Sequence, residues 1–373
     1  MAGIYIHIPF CASRCIYCGF YSTTMLEWRQ GYVDAVCKEW GMRNEECGMT
    51  IDTIYLGGGT PSQLTGGQLR QLFEAVYIYN KVAENAEVTI ECNPDDVTVE
   101  FAATLSQLPI DRVSMGAQTF DNERLRFLRR RHTAEQVPLA VKRLRDAGIQ
   151  NISVDLMYGF PHETLKDWEY DIETALALDV EHLSAYCLSI EEGTPLHKQM
   201  SKDKGLRSMD EELERQMYEM LIDRLTAAGY EHYEISNFAK PGFRSRHNSS
   251  YWQDVPYIGL GAAAHSYDGQ SRSWNVSDIR QYMDAIERGE IPCERETLDD
   301  NTHYNDRITV ALRTREGLDL NTFSSQYRTY CKREAQRFID DGLLALDGSH
   351  LHLTRKGLFV SDYIMSSLIY LDT

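Results

Sequence analysis

Short apolar runs alternate with longer amphipathic ones through the first half of the chain. The runs at 3–7, 52–56, 87–91, 112–115, 152–156 and 182–188 are rich in Ile, Val, Leu and Tyr, and turn-forming residues bound most of them, which predicts strands. Between them, 25–43, 68–79, 98–108, 122–128, 134–147 and 166–178 carry the pattern of helices. In 68–79, for instance, Leu69, Leu72, Phe73 and Val76 recur at three-to-four spacing. Strands that alternate with helices predict parallel βαβ units with right-handed crossovers. Six such units are too few for a closed eightfold barrel, so the expected fold is α/β, an open partial (β/α)6 barrel of the TIM type.

The pattern changes after the sixth strand. A helix is expected over 210–228, where Leu213, Met217, Met220, Leu221, Ile222 and Leu225 make a core-filling face, and a strand over 230–235. Pro241-Gly242 marks a turn. The domain boundary is therefore set at 235/236, giving a barrel domain of 1–235 and a second domain of 236–373. Within the latter, helices are expected at 304–312, 320–327 and 332–341, then a hairpin turning at Asp347-Gly348 and a last helix. This end of the chain reads as a smaller, mostly helical, winged-helix-like unit.

Charge narrows the partners. Lys and Arg number 38 against 56 Asp and Glu, a net charge of −18, which opposes a phosphate backbone and excludes nucleic acid despite the winged-helix outline. No apolar run reaches the ~20 residues of a membrane span, and no basic-then-apolar leader is visible at the start. Of nine cysteines, six are scattered (Cys37, Cys47, Cys92, Cys187, Cys293 and Cys331), which fits a reducing compartment. A cytoplasmic protein is expected, with peripheral membrane contact left open.

The remaining three cysteines, Cys11, Cys15 and Cys18, stand at C-x3-C-x2-C spacing just after the first predicted strand. Thiolates suit zinc or iron–sulfur clusters. Zinc sites usually pair two C-x2-C units, and a second is missing. A [4Fe–4S] cube takes four ligands, so three local cysteines leave one iron open for reaction. In an α/β fold, chemistry collects at the C-terminal ends of the strands. Gly58-Gly59-Thr60, Glu91, Gln118 and Asp155 all fall there.

The cysteine spacing, in Tyr5-Ile6-His7-Ile8-Pro9-Phe10-Cys11-Ala12-Ser13-Arg14-Cys15-Ile16-Tyr17-Cys18, resembles the signature of the radical S-adenosylmethionine (SAM) enzymes. The context resembles the branch that holds oxygen-independent coproporphyrinogen III oxidase and the heme chaperones. That resemblance, which spans essentially the whole chain, implies a [4Fe–4S] cluster on Cys11, Cys15 and Cys18. It also implies SAM at the open iron, cleaved to methionine and a 5'-deoxyadenosyl radical. It assigns Gly58, Gly59 and Thr60 to the methionine part of SAM. Glu91, Gln118, Arg130 and Asp155 fall to further cofactor contacts, and Tyr5 and Tyr17 to aromatic positions around cluster and adenosine. Some members hold two SAM molecules, and several of these positions are shared between the two sites.

A further stretch, Arg246-His247-Asn248-Ser249-Ser250-Tyr251-Trp252, places histidine beside aromatics, and imidazole can ligate heme iron. It resembles a heme-associated motif of the same branch, which makes His247 the expected heme ligand and His265, in Ala264-His265-Ser266, its rival. Within the branch two departures from the oxidase stand out. Phe20 follows where the oxidase pattern has a fourth cysteine, and Cys11 lies almost at the start, without the oxidase's extra leading segment. The resemblance thus implies a heme chaperone that passes heme to membrane respiratory proteins and lacks the dehydrogenase activity. A decarboxylating oxidase, a heme-acting radical SAM methyltransferase and a non-catalytic heme carrier remain the alternatives.

Overall fold

The computed structural model describes residues 2–43, 50–79, 81–202 and 209–371; Cys47 lies outside the described residues. Its centre is six parallel strands in sequential order: β1 (Ala2–Ile8), β2 (Ile51–Gly58), β3 (Val82–Cys92), β4 (Arg112–Gln118), β5 (Asn151–Tyr158) and β6 (His182–Cys187). Helices α1 (Arg29–Arg43), α2 (Gly66–Tyr79), α3 (Val99–Leu105), α4 (Asn122–Phe127), α5 (Gln136–Asp146) and α6 (Leu165–Ala177) form the crossovers. The expected partial barrel is what the residues build.

The strands are not apolar on both faces, as most parallel strands are. Outward positions such as Ile4, Ile6, Ile8, Val88, Ile90, Val113, Ile152, Val154 and Leu183 are buried in one large core. Inward positions are polar or aromatic: Tyr5, His7, Tyr55, Thr89, Glu91, Arg112, Ser114, Ser153, Asp155, His182 and Ser184. Each outward Ile or Leu contributes roughly 1.5–3 kcal/mol by burial. The inward face leaves the barrel lined with groups that can hold a polar ligand.

Caps set the helix starts. Asp121 accepts from the backbone of Glu123 and Arg124, and Thr164 with Asp167 forms a reciprocal capping box, so each helix begins where its strand-end loop stops.

The sheet is wider than six strands. On the far side of β6 come β7 (Glu231–Glu234) and β8 (Asn237–Ala239), after α7 (Pro195–Lys202) and α8 (Glu211–Ala227). On the other side, β9 (Tyr257–Leu260) runs parallel to β1, followed by the antiparallel β10 (His265–Tyr267), β11 (Ser271–Asn275) and β12 (Cys293–Thr297). The boundary set at 235/236 falls in the turn between β7 and β8, which pair with each other, and the large core runs on to Ile286 in α10 (Ile279–Glu287). The strand expected over 230–235 is β7, whereas β8 to β12 escaped the sequence reading because they are short and most of their partners are far away in the chain.

Two elements fix the new edge to the barrel. Buried Glu39 of α1 accepts hydrogen bonds from Arg43, Asn275, Gly261 N–H and Tyr282. Helix α9 (Arg246–Trp252) lies across the N-terminal ends of the strands, its first N–H groups, of Arg246 and His247, each 3.0 Å from the Glu87 carboxylate.

A second, smaller core gathers α11 (Asp300–Ala311), α12 (Ser325–Asp340), the three-stranded sheet β13 (Leu318–Asp319), β15 (His350–Leu353) and β14 (Leu344–Asp347), then α13 (Arg355–Leu358) and α14 (Ser361–Leu368). The hairpin turns at Asp347-Gly348, with Gly348 at φ 60°, as expected. The helices expected at 320–327 and 332–341 are instead a short 3-10 turn, Leu320–Thr322, and the single helix α12. No glycine or proline interrupts that helix, and Phe323 tucks into the core just before it. Among the described residues, no helix is long and apolar enough to cross a membrane.

Candidate functional site

At the C-terminal ends of β1 to β5, one cavity of about 190 Å³ is lined by Cys11, Cys15, Cys18, Tyr17, Gly58, Gly59, Thr60, Glu91, Asn93, Gln118, Arg130 and Asp155, among others. Eleven of the positions singled out from the sequence therefore meet in one place. Tyr5 and His247 are not among its lining.

The cysteine loop is pinned at several points. Cys11 N–H donates to Thr23 C=O at 2.9 Å, Thr23 N–H to Pro9 C=O at 2.7 Å, and Ile16 N–H to Leu128 C=O at 3.2 Å. Ile16 packs with Leu128, Met157, Phe160, Leu188 and Leu196 in an apolar cluster over the ends of β5 and β6. This holds the three thiols, none of them in a disulfide, toward the cavity.

Two donors address the sulfurs. Thr60 Oγ1 donates to Cys11 Sγ at 3.3 Å, and Arg130 donates to Cys15 Sγ at 3.6 Å. Burial raises the Cys11 and Cys18 thiols above their usual value, and the Thr60 hydroxyl pulls Cys11 back. Among the described residues, no three His, Cys, Asp or Glu side chains close on a point as the ligands of a single ion would. A cube presents a separate corner to each thiolate, so its ligands stand further apart. The three thiols, their donors and the cavity beside them fit such a cluster with room for a ligand.

The glycine loop is close-packed. Gly59 N–H donates to Ile8 C=O at 2.9 Å, and a Cβ on Gly59 would stand 2.8 Å from that same oxygen. Gly58 has φ 108°, a conformation open to glycine. Its N–H donates to Glu91 at 3.1 Å, and Tyr55 donates to the other oxygen of that carboxylate at 2.8 Å. Burial outweighs these donors and pushes Glu91 up to about 7.

Gln118 ends β4 at φ 68°, where the pairing with β5 slips by a residue, and this bend aims its side chain at the cavity. Arg130 reaches in from beyond α4, donating to Asn93 Oδ1 at 2.7 Å and to Gly116 C=O at 2.6 Å, while its Nε is buried without a partner. Asp155 accepts from Ser114 at 3.4 Å, and its burial holds it above the usual carboxylate range. Asn93 was not picked out from the sequence as a site residue. The signal was its place two residues after Glu91 at a strand end.

His247 lies at the opposite end of the barrel. Its ring is 1% exposed, stacks on Tyr55 at 5.0 Å, and uses both nitrogens, with Thr53 at 2.8 Å and Tyr251 at 2.8 Å. A heme iron would need one of those nitrogens, and in this conformation neither is available. His265 is exposed on β10. Tyr5 sits inside the barrel, stacked on Tyr55 and bonded to His7 Nδ1 at 3.0 Å.

Comparison with known proteins agrees with this geometry. Residues 5–175 match the radical SAM superfamily, and residues 298–360 match the HemN C-terminal domain. The chain is 34% identical to the heme chaperone HemW of Bacillus subtilis over 99% of both chains. It is 32% identical to that of Lactococcus lactis, over 99% of this chain and 97% of the other. Its fold superposes on coproporphyrinogen III oxidase (HemN) of Escherichia coli with a TM-score of 0.85 over 99% of this chain and 90% of that one, at 20% identity. With whole-length identity of this order, and with the cysteine loop set over a radical SAM barrel, the chain belongs to the heme chaperone (HemW) branch of the radical SAM superfamily.

Proposed function

We propose that this protein is a cytoplasmic radical SAM heme chaperone, which binds heme and passes it to membrane respiratory enzymes. The observation that carries the reading is the single cavity shared by Cys11, Cys15, Cys18, the Gly58-Gly59-Thr60 loop and the polar ends of β3 to β5. The relatives named as heme chaperones support the cargo.

In this reading Cys11, Cys15 and Cys18 hold a [4Fe–4S] cluster, and SAM lies in the cavity beside it. When bound, the pair supplies one-electron chemistry. The chain's own part is to hold and shield. Thr60 and Arg130 donate to sulfur and so favour the thiolate form that metal binding needs. Gly58 and Gly59 keep this loop packed on the His7 ring and the Ile8–Phe10 backbone, where a Cβ would not fit, and so set its backbone at the cavity edge for the methionine end. Glu91, Gln118, Arg130 and Asp155 offer polar groups to the rest of SAM, and Tyr17 covers it from the cysteine loop.

The test is anaerobic incubation of reconstituted, reduced protein with SAM and either heme or coproporphyrinogen, with respiratory membranes depleted of heme as acceptor. We expect heme to bind and reach the membranes intact. Conversion of coproporphyrinogen to protoporphyrinogen, or failure to bind heme at all, would overturn the reading.

A further inference from the structure

The concave face of the sheet does not stop at β1. Tyr5 pairs in register with Tyr55 on one side and Gly259 on the other, so all three share one level of the sheet. Gly259 lies directly against the backbone of His265: a Cβ there would stand 2.0 Å from the His265 carbonyl oxygen. His265 in turn pairs with Trp274, and Trp274 with Glu294. The row that begins inside the barrel with Tyr55 and Tyr5 thus continues onto the added strands β10 and β11, and there it is open to solvent.

Three other imidazoles line the barrel, and all are committed. His7 bonds to Tyr5 and to the Tyr21 carbonyl, His182 to Ser153 and Tyr233, and His247 to Thr53 and Tyr251. His265 differs. Among the described residues its ring makes no hydrogen bond; it is exposed and stacks on the Trp274 indole at 6.1 Å and 30°.

An imidazole open to solvent, without a hydrogen-bonding partner among the described residues and held against an indole, can ligate a heme iron. We infer that the open face of β10 and β11 holds the heme, with His265 as the axial ligand and Trp274, stacked on the imidazole, orienting that ring and meeting the macrocycle with its edge. The inference rests on the heme-binding reading above and gives it a place. Glu294, beside Trp274 on the edge strand, disfavours a heme carboxylate there, whereas Glu296 is paired with Arg272 at 3.6 Å. His247 then serves the floor of the barrel and not the iron.

Hemin titration of the full-length protein, read by the Soret band and by electron paramagnetic resonance, tests this. Wild type should bind heme with an imidazole signature. His265→Ala should lose that signature and weaken binding at least about tenfold, added imidazole should restore it, and His265→Met should bind with a shifted band. Trp274→Ala should weaken binding with the ligand signature kept. His162→Ala, on an exposed loop after β5, should match wild type. If His265→Ala binds heme with the wild-type spectrum, or if His247→Ala or His162→Ala alone removes the signature, the ligand assignment is overturned. Wild type that binds no heme is a different result: it overturns the chaperone reading itself and the inference with it.

Discussion

Arg130 donates a hydrogen bond to the sulfur of Cys15 across 3.6 Å, although 115 residues separate the two in the chain. The same guanidinium holds Asn93 and the Gly116 carbonyl, so one side chain ties the cysteine loop to the ends of β3 and β4. Arg130→Leu should leave those buried acceptors unpaired and cost about 1–3 kcal/mol for each. A chelator should also strip iron from the reconstituted variant faster than from wild type, with Arg130→Lys between them, because one ammonium cannot span all three partners. Equal stripping rates would show that the arginine does not steady the thiolates.

The thiols themselves give the plainest test. Anaerobic reconstitution with iron and sulfide should produce a brown charge-transfer absorption in wild type, lost in Cys15→Ala. A colourless wild type that carries zinc instead would end the cluster proposal.

Gly59 has no room for a methyl group. A Cβ would stand 2.8 Å from Ile8 C=O and 2.8 Å from the Pro9 carbonyl carbon, both backbone atoms that cannot swing aside. Gly59→Ala should therefore destabilise the protein by ~1–3 kcal/mol, displace the cysteine loop and lower iron uptake. Gly67→Ala is the control: its Cβ would meet only Thr65 Oγ1, at 4.0 Å, in the first turn of α2. It should be neutral or slightly stabilising, and matched melting curves for the two variants would refute the argument from close packing.

His247 plugs the floor of the barrel. His247→Ala removes a ring that stacks on Tyr55 and leaves Thr53 and Tyr251 without their shared partner. Denaturant unfolding should show a loss of ~2–4 kcal/mol. The brown absorption of the distant cysteine site should remain. An unchanged unfolding midpoint would mean that the ring carries little of the floor's packing.

Asp171 is fully buried in α6, accepting from Thr119 Oγ1 at 2.6 Å and from Phe120 N–H at 2.8 Å. Burial nonetheless pushes it up to about 6. An unfolded aspartate titrates near about 3.9. The folded state thus holds this proton more tightly than the unfolded chain, and stability is lost as pH rises between those two values, by at most ~3 kcal/mol. Asp171→Asn should remove that part of the slope. Glu163, pushed up to about 7 by burial, acts in the same sense toward neutrality and should persist in the variant. Unfolding measured from pH 4 to 7 should show the variant gaining on wild type up to about pH 6; a constant difference would contradict the assignment.

The sequence by itself determined the alternation of six strands with their helices, because a period of two followed by one of 3.6 is written in the side chains. It also determined which residues gather at the strand ends, since a parallel sheet puts every one of those ends on the same side. The cysteine spacing, the glycine loop, Glu91, Gln118 and Asp155 were legible for that reason. Only the tertiary structure decided which face each strand turns inward, and that β9 to β12 extend the sheet past β1, because those strands are short and find their partners far away in the chain. It decided, too, that His247 sits at the floor while His265 lies open. Both are histidines near aromatics in sequence, and only the packing of α9 under the strands, against β10 in the added part of the sheet, separates a ring with both nitrogens bonded from one with no hydrogen bond among the described residues.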